Sequence, residues 1–263
     1  MPTFRQTGWS SGVGLLCCVC AFCSPAAMGQ ELHSVSVCYD PPTEDTRNSS
    51  DLSTVTFFNY VVSEAFAQIG VKVNFDLQHT FKGCMELVQN GRIDFVQGAY
   101  YDEDRAKIFD YSNHYHTLTP QVFYRIDTPI KVKQLGDLRK YRGCGIYGSS
   151  YAHYGLTQKD LDLGPGYASM VNKLMAGRCD YFVEELEVFY EMGEEGRTVL
   201  ENHDIVHMDV PGASAPSRYL ITRKNSPASR LLPKFNKALS QVINSPLARE
   251  YWIRDHGTVA YKR

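Results

Sequence analysis

The stretch Gly91-Arg92-Ile93-Asp94-Phe95-Val96-Gln97-Gly98-Ala99-Tyr100-Tyr101-Asp102-Glu103-Asp104-Arg105 reads as a strand emptying into a charged turn. Ile93, Phe95 and Val96 form a short apolar run bounded by Gly91 and Gly98, which suits a buried strand of an α/β sheet better than an amphipathic helix. In such sheets ligands sit beyond the carboxyl ends of the strands. Arg105 falls there, followed by Phe109-Asp110-Tyr111-Ser112 and Tyr115. A guanidinium on a tight turn beside a cleft suits a carboxylate, because its planar fork makes two parallel hydrogen bonds.

Outward from this strand the β-α pattern appears twice. Upstream, Ser34 to Tyr39 is a strand leading to Asp40-Pro41-Pro42, and apolar residues from Phe57 to Ile69 recur at helical spacing up to Gly70. Val71, Val73 and Phe75 alternate as a strand, and a helix runs from Phe81 to Gln89. Downstream, Gln121 to Ile126 is a strand, and Asp127-Thr128-Pro129 marks a crossing into a second unit. There Gly143 to Tyr147 is a strand, Gly148-Ser149-Ser150 opens a helix, and Tyr167 to Met175 is a helix. Cys179 to Val183 is a strand, and Glu184 to Met192 a helix whose first acids suit a helix start. Strands at Ile205 to Val210 and Tyr219 to Thr222 precede closing helices at Leu231 to Ile243 and Leu247 to Ile253. Gly177-Arg178-Cys179-Asp180 echoes Gly91-Arg92-Ile93-Asp94, each between a helix and a strand. The expected architecture is two sheet-centred lobes joined by two crossings.

At 263 residues, 43% hydrophobic and 21% charged, the chain is of ordinary globular composition. A net charge of −2 offers no basic field for nucleic acid or membranes, so a small molecule is the expected partner. Residues 1–29 have the layout of a secretory signal peptide, with an apolar core from Val13 to Phe22 and small residues at Ala26, Ala27 and Gly29. Cys17, Cys18, Cys20 and Cys23 leave with it, and none has the flanks of a lipid attachment site. Cys38, Cys84, Cys144 and Cys179 remain, an even number that in an exported chain points to disulfides. Asn48-Ser49-Ser50 matches a glycosylation sequon without other support.

Two motifs are set aside. Gly143-Cys144-Gly145-Ile146-Tyr147-Gly148 matches a dinucleotide fingerprint, but Arg139, Lys140 and Arg142 stand where a completed apolar strand is needed. His114/His116 and His203/His207 each lack a third metal ligand at suitable spacing. No cofactor or metal is expected.

The Gly-Arg-Ile-Asp run, the Gly-Ala pair, the acidic turn ending in Arg105, and Phe109-Asp110-Tyr111-Ser112 with Tyr115 resemble the signature of type II periplasmic solute-binding proteins. These are the family 3 extracellular proteins that deliver amino acids and related solutes to ABC importers, and the resemblance extends from about Val35 to the C-terminus. It implies an α/β, two-lobe periplasmic binding protein-like fold of type II, with two parallel-type sheets joined by a two-segment hinge. The lobes would be residues 32–125 with 218–263, and 126–217. Cys144–Cys179 is then the expected bridge, since both cysteines start strands of the second lobe; Cys38–Cys84 is its companion.

Carried over by position, the resemblance places Asp40 where the ligand's side chain is met and Phe81 where a ring stacks on it. Gly98 and Tyr100 stand at positions that often carry Ser or Thr, and Arg105 matches the carboxylate-binding arginine. Ser149 and Ser150 match the second lobe's carboxylate-binding turn, expected as backbone N–H groups at a helix start; Glu185 falls where an Asp accepts the ligand's ammonium. The bulk of Tyr100 and the extra methylene of Glu185 point away from an ordinary α-amino acid. The implied function is a monomeric periplasmic protein that captures a small polar, carboxylate-bearing, amino-acid-like solute for a membrane ABC permease. Two alternatives share the fold: a cyclohexadienyl dehydratase-like enzyme, with Glu185 as an acid, and a ligand-sensing partner of a membrane receptor.

Overall fold

In the computed structural model the described residues are 32–39 and 56–263. The expected signal peptide, Asp40 and the sequon lie outside them. Two mixed sheets form the frame. The first has the strand order β2-β1-β3-β11-β4, built from β1 (Ser34–Cys38), β2 (Lys72–Asp76), β3 (Phe95–Tyr100), β4 (Phe109–Tyr111) and β11 (Ser217–Arg223), and β5 (His116–Thr117) also pairs with β11. The second has the order β10-β6-β9-β7-β8, built from β6 (Pro120–Arg125), β7 (Gly143–Ile146), β8 (Leu161–Gly164), β9 (Tyr181–Glu185) and β10 (Ile205–Asp209).

The expectation of parallel-type sheets is met only in part. β1 runs parallel to β2 and β3, and β7 parallel to β8 and β9, but β11 lies antiparallel to β3, and β6 antiparallel to β9. These antiparallel members are the strands by which the chain passes from one sheet to the other. β6 belongs to the second sheet, so the changeover falls at Leu118-Thr119 and not after Arg125. The return crossing lies beside it, with the Leu118 N–H donating to Pro216 O at 2.9 Å.

Seven α-helices cover the described sheets: α1 (Phe57–Ala67), α2 (Phe81–Gln89), α3 (Tyr167–Met175), α4 (Leu186–Glu191), α5 (Gly193–Leu200), α6 (Leu232–Val242) and α7 (Pro246–His256). Helix α1 starts at Thr56, whose side chain accepts from Asn59 N, and buries Phe57, Phe58, Val61, Val62, Ala65 and Phe66. That face packs with Phe235 and Leu239 of α6 and Trp252 of α7, so both C-terminal helices complete the core of the first sheet. A fully buried phenylalanine contributes about 1.5–3 kcal/mol over an exposed one, so this face alone ties the chain's end to its beginning.

The Gly-Arg-x-Asp echo is a repeated joint. Asp94 accepts from the backbone N–H of Ser36, and Asp180 from that of Arg142, both at 2.8 Å, so each Asp ties the entry of a later strand to the beginning of an earlier one. Gly91 and Gly177 precede them at φ 71° and 68°, a region that costs a residue with a Cβ about 1–2 kcal/mol. Cys38–Cys84 and Cys144–Cys179 are both bridged, with Cα atoms 5.5 and 5.7 Å apart.

Candidate functional site

The glycine expected to end the central strand instead bends it. In the β3–β11 register Tyr219 pairs with Ala99 and Leu220 with Gln97, leaving Gly98 unpaired as a bulge at φ 87°. The strand continues to Tyr100. Beyond it Arg105 opens a 3₁₀ turn, its N–H on Asp102 Oδ1 at 2.9 Å and its Nη1 donating to Tyr100 O at 2.8 Å. The guanidinium carbon lies 5.4 Å from the centroid of the Phe81 ring, so Arg105 and the first residue of α2 form one stacked unit.

These groups face a cavity of about 890 Å³ between the two sheets. The first sheet and its helices contribute Tyr39, Phe81, Lys82, Gln97, Gly98, Tyr100, Arg105 and Arg218. The second contributes the segment from Ile146 to Tyr151, His153, Tyr154, Pro165 to Ser169, Val183 to Glu185 and Glu191. Seven of the eight residues singled out in sequence therefore line one cavity: Phe81, Gly98, Tyr100, Arg105, Ser149, Ser150 and Glu185. Asp40 lies outside the described residues.

Two local expectations are corrected. Ser149 and Ser150 do not open a helix: only a 3₁₀ turn follows, Ala152–Tyr154, with Tyr151 as its cap and no side-chain capping bond. On the side of the second sheet α3 starts at the cavity, its leading Gly166 making no side-chain cap. The helix expected from Glu184 begins two residues later: Glu184 and Glu185 close strand β9, extended Glu185 is the N-cap of α4, and the Leu186 N–H donates to Thr119 O at 3.0 Å. The glycines of the dinucleotide-like run serve close packing. A Cβ on Gly143 would stand 2.4 Å from Leu161 Cδ2, and one on Gly145 would stand 2.9 Å from the Tyr151 hydroxyl.

Glu185 is 1% exposed and fully engaged. Its Oε1 is 2.6 Å from His153 Nε2 and 2.9 Å from the Tyr154 hydroxyl, while the Tyr100 hydroxyl donates to Oε2. Burial opposes ionisation, but these partners, His153 first, hold the Glu185 carboxyl below its ordinary range. An ionised carboxylate only accepts, so His153 presents Nε2–H to it. Burial, and then the Glu185 charge, pushes Glu184 well above the ordinary 4.5, so it keeps its proton where Glu185 has lost its own. The same two causes raise the Tyr100 and Tyr154 phenols, which stay protonated as donors.

Sequence reasoning missed Arg218, Glu191, His153 and Tyr154. Arg218 is buried, donates from Nη1 to Glu191 Oε2 at 2.8 Å, and lies 4.9 Å over the Phe58 ring. Its only local signal is a lone arginine at the mouth of the apolar run Tyr219–Thr222. Of the histidine pair His114/His116, His116 is buried beside Phe58 and Trp252, whereas His114 is exposed against Tyr219. Among the described residues no group of three or more His, Cys, Asp or Glu is placed to hold a metal ion.

The family model of bacterial extracellular solute-binding proteins, family 3, matches residues 55–251. The chain belongs to this family. No curated protein matches the sequence. Among solved structures, it is similar to a histidine kinase sensor domain resembling periplasmic binding proteins, at 22% identity and a TM-score of 0.67, covering 86% of this chain and 97% of that one. The substrate-binding protein of an amino acid ABC transporter matches at 18% identity and a TM-score of 0.66, over 84% and 98% of the two chains. An arginine-, lysine- and histidine-binding protein from Geobacillus stearothermophilus matches at 17% identity and 0.67, over 86% and 96%. These likenesses are of fold. No helix among the described residues is long and apolar enough to cross a membrane.

Proposed function

We propose that this family 3 protein works in the periplasm, capturing a small carboxylate-bearing solute between its two sheets and presenting it to a membrane ABC permease. The observation that carries this reading is the cavity itself: Arg105, fixed by Tyr100 O and stacked on Phe81, faces hydroxyls, backbone and a helix start from the opposite sheet. A solute touching both walls favours the state in which they are closed, by its difference in affinity between states. The sheets then act as lobes moving about the paired crossings at Leu118-Thr119 and Pro216. Glu187 braces the first crossing by accepting from Thr119 N and Oγ1, each at 2.8 Å.

A thermal-shift screen of small organic acids and amino acids tests the reading. A solute at a hundred times its dissociation constant adds about 2.7 kcal/mol of stability. A folded protein that no member of the screen stabilises would refute it. Catalysis on the same scaffold is a second reading, favoured by one observation: Glu184, a carboxyl that keeps its proton, borders the cavity beside ionised Glu185. Turnover of prephenate or arogenate by the purified chain would establish it in place of binding alone.

A further inference from the structure

Glu185 is saturated by side-chain donors, but three other residues that border the cavity carry polar atoms without partners. Gln97, on β3, donates from Nε2 to Asn59 Oδ1 at 3.3 Å, while its buried Oε1 accepts nothing among the described residues. Glu191, at the end of α4, gives Oε2 to Arg218 and keeps a buried Oε1 that accepts no hydrogen bond. His256 Nε2 lies 3.7 Å from that oxygen, but Nδ1 of the same ring already donates to Trp252 O, so the neutral imidazole turns an acceptor toward Glu191 and not a donor. Arg218 adds a buried Nε–H with no acceptor. The three residues are neighbours. Arg218 bonds Glu191 and covers the Phe58 ring, and Gln97 bonds Asn59, the next residue along α1. All three side chains are at least nine-tenths buried: Gln97 is 2% exposed, and the side chains of Arg218 and Glu191 are 9% and 7% exposed.

We infer that Gln97, Glu191 and Arg218 form a subsite for the end of the solute away from its carboxylate, and that this end is an uncharged group with at least two donor hydrogens and one acceptor oxygen: an amide-type group or neighbouring hydroxyls. The inference rests on the solute-binding reading above and narrows its substrate class. Arg105 sits on Phe81 of α2, whereas the three side chains gather beside Phe58 and Asn59 of α1, so one solute meets the guanidinium with one end and this subsite with the other. Charge decides against a cation. Arg218 and Glu191 already match each other, and a further positive group would enter beside the Arg218 guanidinium without compensation. An apolar end would leave two acceptors and one donor unpaired, the costly arrangement for buried polar atoms. The acceptors also come from opposite walls, Gln97 from β3 and Glu191 from α4, so a donor group between them is held by both only when the walls are together. The subsite thereby couples recognition of the solute to closure.

Calorimetry on the purified protein with solutes of matched size tests this: L-citrulline against L-arginine, glutaramate against 5-methylhexanoate and 5-aminopentanoate, and gluconate against hexanoate and 6-aminohexanoate. In a series that fits the cavity, the solute with the uncharged polar end should bind at least about tenfold more tightly than its apolar or cationic counterpart. The first two series carry amide-type ends and the third hydroxyls, so the series that responds tells which of the two the subsite takes. A smaller margin in every series that binds overturns the inference and leaves solute binding standing. Failure of every solute to bind folded protein counts against the solute-binding reading and removes the inference with it. Gln97→Met provides an independent measurement. It keeps the length of the side chain, removes the amide and leaves Arg105 and the Arg218–Glu191 pair in place, so the preference for the polar end should fall at least about fivefold while the apolar counterpart binds no more weakly. An unchanged preference in a variant with native circular dichroism overturns the subsite.

Discussion

Arg105 carries two kinds of interaction, and a lysine would keep only one of them. The charge survives in Arg105→Lys, but the planar fork, which on the proposed function grips a carboxylate through two parallel hydrogen bonds, is lost. Affinity for the cognate acid should fall about tenfold to a hundredfold, since hydrogen bonds to charged groups contribute roughly 1.5–3 kcal/mol. The stack on Phe81 and the bond to Tyr100 O also make Arg105 part of the turn, so the ligand-free protein should lose about 0.5–1 kcal/mol. Calorimetry and melting without ligand separate the two; equal affinity in the variant would refute the carboxylate role. Glu184 gives a test with the opposite sign to the usual acid. Its carboxyl titrates well above 4.5 in the fold, so its contribution is complete below pH 4.5 and is lost as pH rises from there. Glu184→Gln should therefore melt above the wild type at pH 7 and with it at pH 4; a gap that does not change with pH would dismiss the assignment. Arg105 was legible because Phe109-Asp110-Tyr111 flank it in sequence. His153 and Tyr154 were not, since the partner that gives them meaning, Glu185, lies 32 and 31 residues away.

Elements with strong local periodicity were readable, and those set by pairing were not. Helix α2 was bounded in sequence at Phe81 and Gln89, as found, because Thr80 caps it and Gly91 follows its end. By contrast β8 was missed, since Leu161-Asp162-Leu163-Gly164 is short and takes its strand form from parallel pairing with β7. The bulge at Gly98 was read as a strand end, because a glycine that kinks a strand and one that stops it look alike until the partner β11 is present. The bridge predicted between Cys144 and Cys179 ties β7 to the joint before β9. With its ends 35 positions apart in sequence, it restricts the unfolded chain enough to contribute about 3–4 kcal/mol. The Cys144→Ala, Cys179→Ala double variant should lose that much in denaturant unfolding, and Cys38→Ala with Cys84→Ala a similar amount across 46 residues. Losses below about 1 kcal/mol would show that these bridges contribute little.

At the scale of the whole molecule, two side-chain contacts link the halves across the cleft and favour its closed form. Tyr100 on β3 donates to Glu185 on β9, and Arg218 on β11 pairs with Glu191 at the end of α4. The first is a bond to an ionised group and contributes about 1.5–3 kcal/mol to the closed form. The second is buried on both sides, with side chains 9% and 7% exposed. Removing one charge of such a pair costs about 3–5 kcal/mol, because the other is left without compensation. Opening the cleft would return Arg218 to water and relieve that penalty, so losing Glu191 favours the open form. About 1.4 kcal/mol is a tenfold change in population, and the two contacts together are enough to invert the equilibrium. Small-angle scattering on the ligand-free wild type should therefore give a compact particle whose radius of gyration hardly changes when solute is added. The Tyr100→Phe, Glu191→Gln double variant should expand without solute and contract with it. Identical profiles for the two proteins without solute would mean that the halves are held by the crossings and packing alone, and that neither Tyr100 nor Glu191 governs closure.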